Sequence, residues 1–539
     1  MRSQIVIAAL GISISLALIQ WLHWRPSAWM THGGLALLVG FGLNLFVWAA
    51  SSATGRPQTI SVVSSSAVHD VVYFALLPPI IFEAGFSMRK RGFFDSLGPI
   101  LLYAVAGTLI STFAAGVMLH GLSHMGVIWT ELSIGDCMLF AALISPTDPV
   151  ATLSVLRQVH APPTLRDCIF GEATLNDALS IVVFQVIRTH FSQLAHDVSG
   201  TASTIVVDVL WSMCGSTVVG VGFGLCTSYI TRRIYFLHMG LSEAREEVPH
   251  LELSLLSTFA FLTFTAAERL GFSGICALFV CGVLCRHYAY HNLSGDAKGA
   301  ATSLFLTLAA LCETALSTLL GVALFDYVVW PDMWDLSLAC LTLPVLFVAR
   351  AFNIFPLSAL ANWLRRGRKH QQRAITWPMQ VVMWFSGMRG ALSFALAVTL
   401  DDERFPHPVQ NKLYHKLVAA TLLTIATTTL LMAPATRPLI RAVRLGPPDV
   451  SGDATAALLT HAISTTSLAR YESSPAPLNV GALLASSSAT LLQPAGRRAA
   501  DDERFSEPSG GPPSSPIYRL FRKLEASYLK PVVGGRGFH

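Results

Sequence analysis

The sequence predicts an all-α polytopic membrane protein with about thirteen transmembrane helices. Three observations carry that prediction. Apolar runs of about 20 residues, the length that crosses a hydrocarbon core, recur along most of the chain. Of the 539 residues, 53% are hydrophobic and only 13% charged, about half the charged share of a soluble domain. Basic clusters fall on alternate loops, which orients the runs across a bilayer. The net charge of +5 is small and gives no reason to expect nucleic acid as a partner. Membrane lipid is the surrounding the composition demands. Nine cysteines are scattered, mostly in apolar runs, as at Cys276, Cys281 and Cys285. They show neither zinc-ligand spacing nor a disulfide framework and read as small core residues. No cofactor is expected.

Ile5–Ile19 is apolar behind Arg2. Gln20–Trp24 offers no small-residue cleavage site, so the run is kept as a first span. A second covers about Trp29–Ala50, followed by a Ser-rich loop, Ser51–Ser66. The third, about Asp70–Met88, carries Pro78-Pro79, which remove backbone hydrogen bonds and kink a helix, and Glu83. The fourth is about Gly98–Leu119. The fifth, about Gly135–Leu156, holds Thr147-Asp148 between Pro146 and Pro149. Two prolines so placed leave carbonyls unpaired in a continuous helix, so a break is expected there, with Asp148 in a water-filled or protein-lined cavity or capping the second half-helix.

The sixth span is about Leu165–Ile187, and the seventh, about Ser203–Tyr229, has glycines that permit close packing. The eighth, about Leu251–Leu270, ends with Glu268-Arg269, and the ninth, Phe272–Cys285, opens with Ser273-Gly274. The tenth, about Ser303–Phe325, holds Glu313, and the eleventh, about Leu336–Trp363, holds Arg350. In the twelfth, about Ile375–Leu400, Gly387 and Gly390 flank Arg389 inside an apolar run, a second candidate for a broken helix. The thirteenth is about Leu413–Met432.

With the C-terminus cytoplasmic, inner loops receive Arg89–Arg91, Arg157, Arg166, Arg232-Arg233, Arg286, Lys298, Arg365–Arg373 and Arg437–Arg444. Outer loops receive few basic residues and carry Asp332, Asp335 and Asp401–Glu403. Asn292-Leu-Ser is a formal glycosylation sequon on the inner side and is expected to go unused. The domain division follows composition. Residues 1–445 form the membrane domain, and 446–539 a tail rich in Ser, Ala, Pro and Gly, expected to be largely disordered. Within it, 517–530 has apolar residues at helical spacing with Arg519, Arg522 and Lys523 between, a candidate for an anionic membrane surface or a regulatory protein partner.

The chemistry gathers in the sixth span, at GEATLNDALSIVVF (171–184). A charge at membrane depth costs roughly 2.5–3.5 kcal/mol on insertion scales and marks function. Glu172 and Asn176 share a helix face, and Asp177 lies about a quarter turn further round. That grouping suits a cation or a proton. Glu172 and Arg350 are the natural buried pair, since neither charge is tolerable alone. Interrupted spans in each half of the chain are the mark of an inverted-repeat secondary transporter, with half-helix ends meeting near the midplane. There Arg389 would offset carbonyl ends and Asp148 amide ends. Asp177 as COOH, or as COO⁻ with one monovalent cation, carries the same net charge, so exchange at Asp177 alone is electroneutral.

These segments carry a resemblance. LLPPIIFEAGF (76–86), SPTDPVA (145–151), GEATLNDALSIV (171–182), AERLGFSG (267–274), LCET (311–314), the Arg350 span and GMRGALSFALA (387–397) stand in the order seen in monovalent cation/proton antiporters. Over about Asp70–Leu400 the chain resembles the eukaryotic sodium/proton exchanger family. HYAYHNLS (287–294) with LCET is most similar to its Golgi and endosomal branch. The resemblance implies a homodimer of thirteen-helix protomers, each with a moving core and a static dimerisation domain, exchanging Na⁺ or K⁺ for H⁺. It gives ion binding to Asp177, supporting roles to Asn176, Thr147 and Asp148, and a stabilising pair to Glu172 and Arg350. Glu268 falls at the family's inhibitor-sensitive acidic position, and with Glu313 and Glu83 is a candidate for lining the pore. Ala173 stands where Ser is usual and Met388 where Leu is usual. The tail differs from the long regulatory tails of plasma-membrane members.

Two other classes compete. Gly271-Phe-Ser273-Gly274 with His287 downstream fits an intramembrane serine protease only as a four-residue pattern, and leaves Asp177, Asp148 and Arg350 without a role. A non-transporting sensor of the same fold has no need of intact Asp148 and Asp177.

Overall fold

The computed structural model describes residues 2–23, 31–53, 68, 70–88, 97–148, 152–153, 156, 162–196, 198–238, 248–329, 334–365, 374–398, 400, 408–443, 445 and 529–533. Several expectations lie outside them: the Ser-rich loop beyond Ala53, Arg89–Arg91, Pro149, Arg157, most of the basic run after Arg365, Asp332, Asp401–Arg404, Arg444, and 517–530 except its last two residues. Met1–Leu445 with Lys523–His539 make one compact unit, and Gly446–Arg522, a second unit, falls wholly outside the described residues.

Among the described residues all regular structure is helical. Among the helices are α1 (Arg2–His23), α2 (His32–Ala53), α3 (Leu77–Phe86), α4 (Thr108–His124), α5 (Ile134–Leu143) and α6 (Pro163–Thr189). Then follow α7 (Val198–His238), α8 (Val248–Arg269), α9 (Gly274–Leu284), α10 (Gly295–Val329) and α11 (Leu336–Arg365). The last are α12 (Trp377–Phe385), α13 (Ala391–Val398), α14 (Pro408–Thr427), α15 (Ala433–Ala442) and the short α16 (Lys530–Val533). Among the described residues eight helical stretches are long and apolar enough to cross a membrane, and three shorter ones are apolar. Large apolar residues such as Trp211, Val218 and Phe46 are exposed, as the exterior of a membrane protein allows.

Wide π-helical turns interrupt several spans. Val71–Leu76 is π-helical and runs straight into α3, whose first turn holds Pro78 and Pro79. The prolines thus fall where π winding passes into α winding, and the carbonyls of the preceding turn lose the amide donors that Pro78 and Pro79 lack. Leu102–Gly107 is a second π-turn, immediately before α4.

Glycine sets the closest helix crossings. A Cβ on Gly40 of α2 would stand 2.0 Å from the Thr318 carbonyl oxygen of α10, and one on Gly321 of α10 would stand 2.0 Å from the Leu37 carbonyl oxygen. Each glycine therefore receives the other helix's backbone, and Asn44 Nδ2 donates to Val322 O at 2.8 Å beside them. Of the glycines in the expected seventh span, Gly215, Gly220 and Gly224 meet Phe272, Ala277 and Leu284, while Gly222 meets nothing. Asn292 of the sequon is buried, and its Nδ2 donates to Ser228 O (3.0 Å) and to Val533 O (2.9 Å).

Candidate functional site

Two interrupted helices meet at the centre of the site. α5 starts with a capping box on Ser133 and Asp136 and stops at Leu143, and 145–148 are non-helical. α12 stops at Phe385, and helix resumes only at Ala391. The two gaps are joined through the backbone, since Asp148 N donates to Met388 O at 2.8 Å.

Arginines serve the carbonyls these breaks leave open. Arg389 Nη1 donates to Ser145 O (2.9 Å) and Pro146 O (3.3 Å), just beyond the carboxyl end of α5. Arg350 does the same for α12, with Nη2 on Met383 O at 2.9 Å and Nε 3.2 Å from both Met383 O and Trp384 O. Its Nη1 is 3.0 Å from Glu172 Oε1, and both side chains are buried. The expected pair is therefore in contact, and Arg350 has a second task that the sequence did not reveal.

The glycines around Arg389 are space requirements. A Cβ on Gly387 would lie 2.3 Å from Arg350 Cδ, and one on Gly390 would lie 2.7 Å from Asp148 Cβ and 3.0 Å from its Oδ2. Asp148 therefore packs against the residue that precedes α13, at the amide end expected for it.

Asn176 holds the α5 break to α6. Its Nδ2 donates to Ser145 O (3.1 Å) and Thr147 Oγ1 (3.2 Å). Its Oδ1 accepts from Thr108 Oγ1 (2.6 Å) and Ser180 Oγ (3.0 Å). Asp177, one residue on, accepts from the Thr147 backbone N–H and lies within electrostatic reach of Asp148, Arg389 and Glu313. Its Oδ1 is buried with no hydrogen-bond partner.

Exposure divides the site. Asn176, Thr147, Glu172, Arg350 and Arg389 are buried, whereas Asp177, Asp148, Glu313 and Glu83 each keep some accessible surface. Glu313 sits within electrostatic reach of Asp148 and Glu83, and Glu83 lies near the end of α3, close to Ser87. So the frame is buried and holds one matched pair, Glu172 with Arg350. Among the described residues no three His, Cys, Asp or Glu side chains converge as a metal-ion cluster.

Glu268 belongs to another network. Its Oε1 accepts from Tyr73 Oη (2.9 Å) and from Gly274 N (2.8 Å), at the start of α9. Gln185 of α6 donates to Tyr73 Oη at 3.1 Å. Ser273 is fully buried and caps α9, its hydroxyl accepting from Cys276 N. That cap accounts for the Gly-Phe-Ser-Gly run without invoking a nucleophile. Sequence reading missed Thr108, Thr112, Ser145, Ser180 and Thr428, which bond within the site. Three of them left a signal, Thr108 with Thr112 and Ser180 after Asn176, each a pair at four-residue spacing on one helix face.

Interrupted helices around a buried, incompletely satisfied carboxylate define a class, the helical membrane proteins that keep irregular backbone at membrane depth only inside protein. The comparisons place the chain within that class. The model of the family "Sodium/hydrogen exchanger, transmembrane" matches residues 6–442, and the chain belongs to that family, a multi-pass integral membrane protein as its motifs led us to expect. It is 36% identical over 375 residues to sodium/hydrogen exchanger 8 of Homo sapiens, covering 69% of this chain and 60% of that protein. It is 34% identical to sodium/hydrogen exchanger 9 of Equus caballus, covering 69% and 55%. Sodium/hydrogen exchanger 1 of Arabidopsis thaliana is 30% identical over 534 residues, covering 95% and 89%. The match thus takes in less than two thirds of the length of the vertebrate relatives. The solved structure of the sodium proton antiporter MjNhaP1 from Methanocaldococcus jannaschii aligns with TM-score 0.62 at 18% identity, over 83% of this chain and 99% of that one. That likeness speaks for the fold alone.

Proposed function

We propose that this protein exchanges a monovalent cation, Na⁺ or K⁺, for H⁺ across a membrane, one for one, by alternating access. The single observation that carries the reading is the Asp177 carboxylate, whose Oδ1 is buried without any protein hydrogen-bond partner. A carboxylate removed from water persists only with a neutralising companion. Arg350 is already paired with Glu172, and Arg389, whose charge acts on Asp177, donates to the Ser145 and Pro146 carbonyls and gives the Asp177 Oδ1 no hydrogen bond. A proton or an alkali cation is the companion left, and the two compete for one site. Since either leaves the same net charge, turnover is electroneutral.

In this reading the α5 and α12–α13 breaks are the crossing helices of two inverted repeats, within thirteen spans that divide into a moving core and a static dimerisation domain. Asp148 and Thr147 complete the cation's surroundings, Asn176, Glu172, Arg350 and Arg389 hold them in place, and Glu313 and Glu83 line the approach. A homodimer in an endomembrane such as the Golgi or endosome, with a cytoplasmic C-terminus and regulation through the tail, fits the family and the charge asymmetry. The activity controls compartment pH and cation content.

The test is Asp177→Asn, which keeps shape and removes the exchangeable charge. In sealed vesicles the variant should lose all cation-dependent pH recovery while expressing and folding normally. Exchange that persists at normal expression would remove Asp177 from the mechanism. A non-transporting sensor predicts no exchange from the wild type in any gradient.

A further inference from the structure

We infer that Thr108 is a positioning residue for the cation site, acting through Asn176. The inference rests on the exchange reading above and deepens it by removing Asn176 from the cation's direct ligands. An amide side chain has two donor hydrogens and two acceptor lone pairs on its oxygen. In Asn176 all four are used. The nitrogen bonds Ser145 O and Thr147 Oγ1, and the oxygen accepts from Thr108 at 2.6 Å and Ser180 at 3.0 Å. No lone pair remains for an ion. Instead, Asn176 ties the non-helical 145–148 segment to α6. Thr147 in turn presents its backbone N–H to the Asp177 carboxylate. Thr108 thus reaches Asp177 through two relays, Asn176 and Thr147.

The local structure is built to bring Thr108 there. The π-turn Leu102–Gly107 ends at Thr108, and a wide turn shifts every later side chain round the helix. A hydroxyl that an unbroken α-helix would turn elsewhere then faces Asn176. Gly107 lets the fourth segment lie close, because a Cβ there would stand 2.3 Å from Asn353 Oδ1. Asn353 follows Arg350 by one turn of α11, so the stretch that aims Thr108 is braced by the same helix that holds Glu172. One turn further on, Thr112 donates to Ser145 Oγ at 3.2 Å and fixes the other side of the break. Ser180, on α6 itself, supplies the second hydroxyl to Asn176 but cannot register α4 against the break.

The experiment measures Na⁺/H⁺ exchange by purified full-length protein in proteoliposomes, separating apparent KM for Na⁺ from Vmax. Thr108→Val keeps the shape and deletes the donor. It should raise KM about five-fold, the ratio that a hydrogen bond worth about 1 kcal/mol gives, with Vmax within about two-fold. Thr108→Ser, which restores the hydroxyl, should return KM to the wild-type value. Ser180→Ala removes the other donor to the same oxygen and should raise KM less than Thr108→Val; it reads the same oxygen if Thr108→Val is not recovered folded. An unchanged KM in folded Thr108→Val, a loss confined to Vmax, or failure of Ser to restore what Val loses would overturn the proposal. So would a Ser180→Ala variant with wild-type KM, if that is the only variant recovered. Asp177→Asn is run alongside. Wild-type protein that exchanges nothing defeats the exchange reading itself, exchange retained in Asp177→Asn removes Asp177 and with it the site Thr108 would position, and a silent Asp177→Asn with an unaltered Thr108→Val defeats only the role given to Thr108.

Discussion

At the scale of single residues, the site separates charges that are matched from the one that is not. Glu172 and Arg350 are buried and 3.0 Å apart, and Arg350 also serves the α12 carbonyls. Removing either partner leaves a buried charge uncompensated, a loss on the order of 3–5 kcal/mol. Glu172→Gln and Arg350→Ala should each lower the yield and melting temperature of purified protein. Because the second change removes a charge the first has stranded, the double variant should lose less than the sum. Strictly additive losses would contradict a direct pair. Gly390 shows the same economy in space. Gly390→Ala brings a methyl to within 2.7 Å of Asp148 Cβ, so it should impair exchange more than it lowers expression, because the atom that must move belongs to the site.

At the scale of elements, caps and close crossings decide where helices begin and how near they come. Asp335 caps α11: it accepts from Leu338 N at 3.1 Å and from Ser337 Oγ, and Thr130 of the α4–α5 loop donates to it as well. Burial raises its carboxyl's pKa, but these hydrogen bonds and the nearby Lys416 outweigh it and hold it below the ordinary carboxylate range. A folded-state value below the unfolded one means the stabilisation is whole above about pH 4 and is lost as pH falls through the folded value. The melting temperature of Asp335→Asn should thus lie below wild type by a constant margin from pH 8 to 5, with the gap closing only below about pH 4. A gap that closes near neutrality would assign the effect elsewhere. The α2–α10 crossing gives a second test at this scale. Gly40→Val sets side-chain carbon against a backbone carbonyl that cannot turn aside, and should cost at least the 1–3 kcal/mol typical of overpacking, read as lost yield and thermal stability.

At the scale of the whole molecule, the prediction concerns charge movement. If Asp177 alone carries either ion, proteoliposome exchange should run at the same rate with the membrane voltage clamped at zero or at a large value of either sign. A rate that rises steeply with voltage would require a second titrating group in the cycle, and Asp148 and Glu313, which also keep accessible surface, would be the first to test. Apolar runs, Pro146, the Gly387–Arg389–Gly390 group and the motif order were enough to read the helical membrane class, the family and the acidic residues at its centre. Those signals are local, since hydropathy, backbone-breaking residues and misplaced charge each show in a short window of sequence. What only the tertiary structure decided is who completes whom. Arg389 answering the carbonyls of α5, Arg350 answering those of α12, Thr108 reaching Asn176 and Gly40 seating against Thr318 all join residues far apart in the chain. A buried polar group must find a partner somewhere, but nothing in its own stretch of sequence says on which helix, because that is fixed by packing and by the register that each π-turn and break imposes.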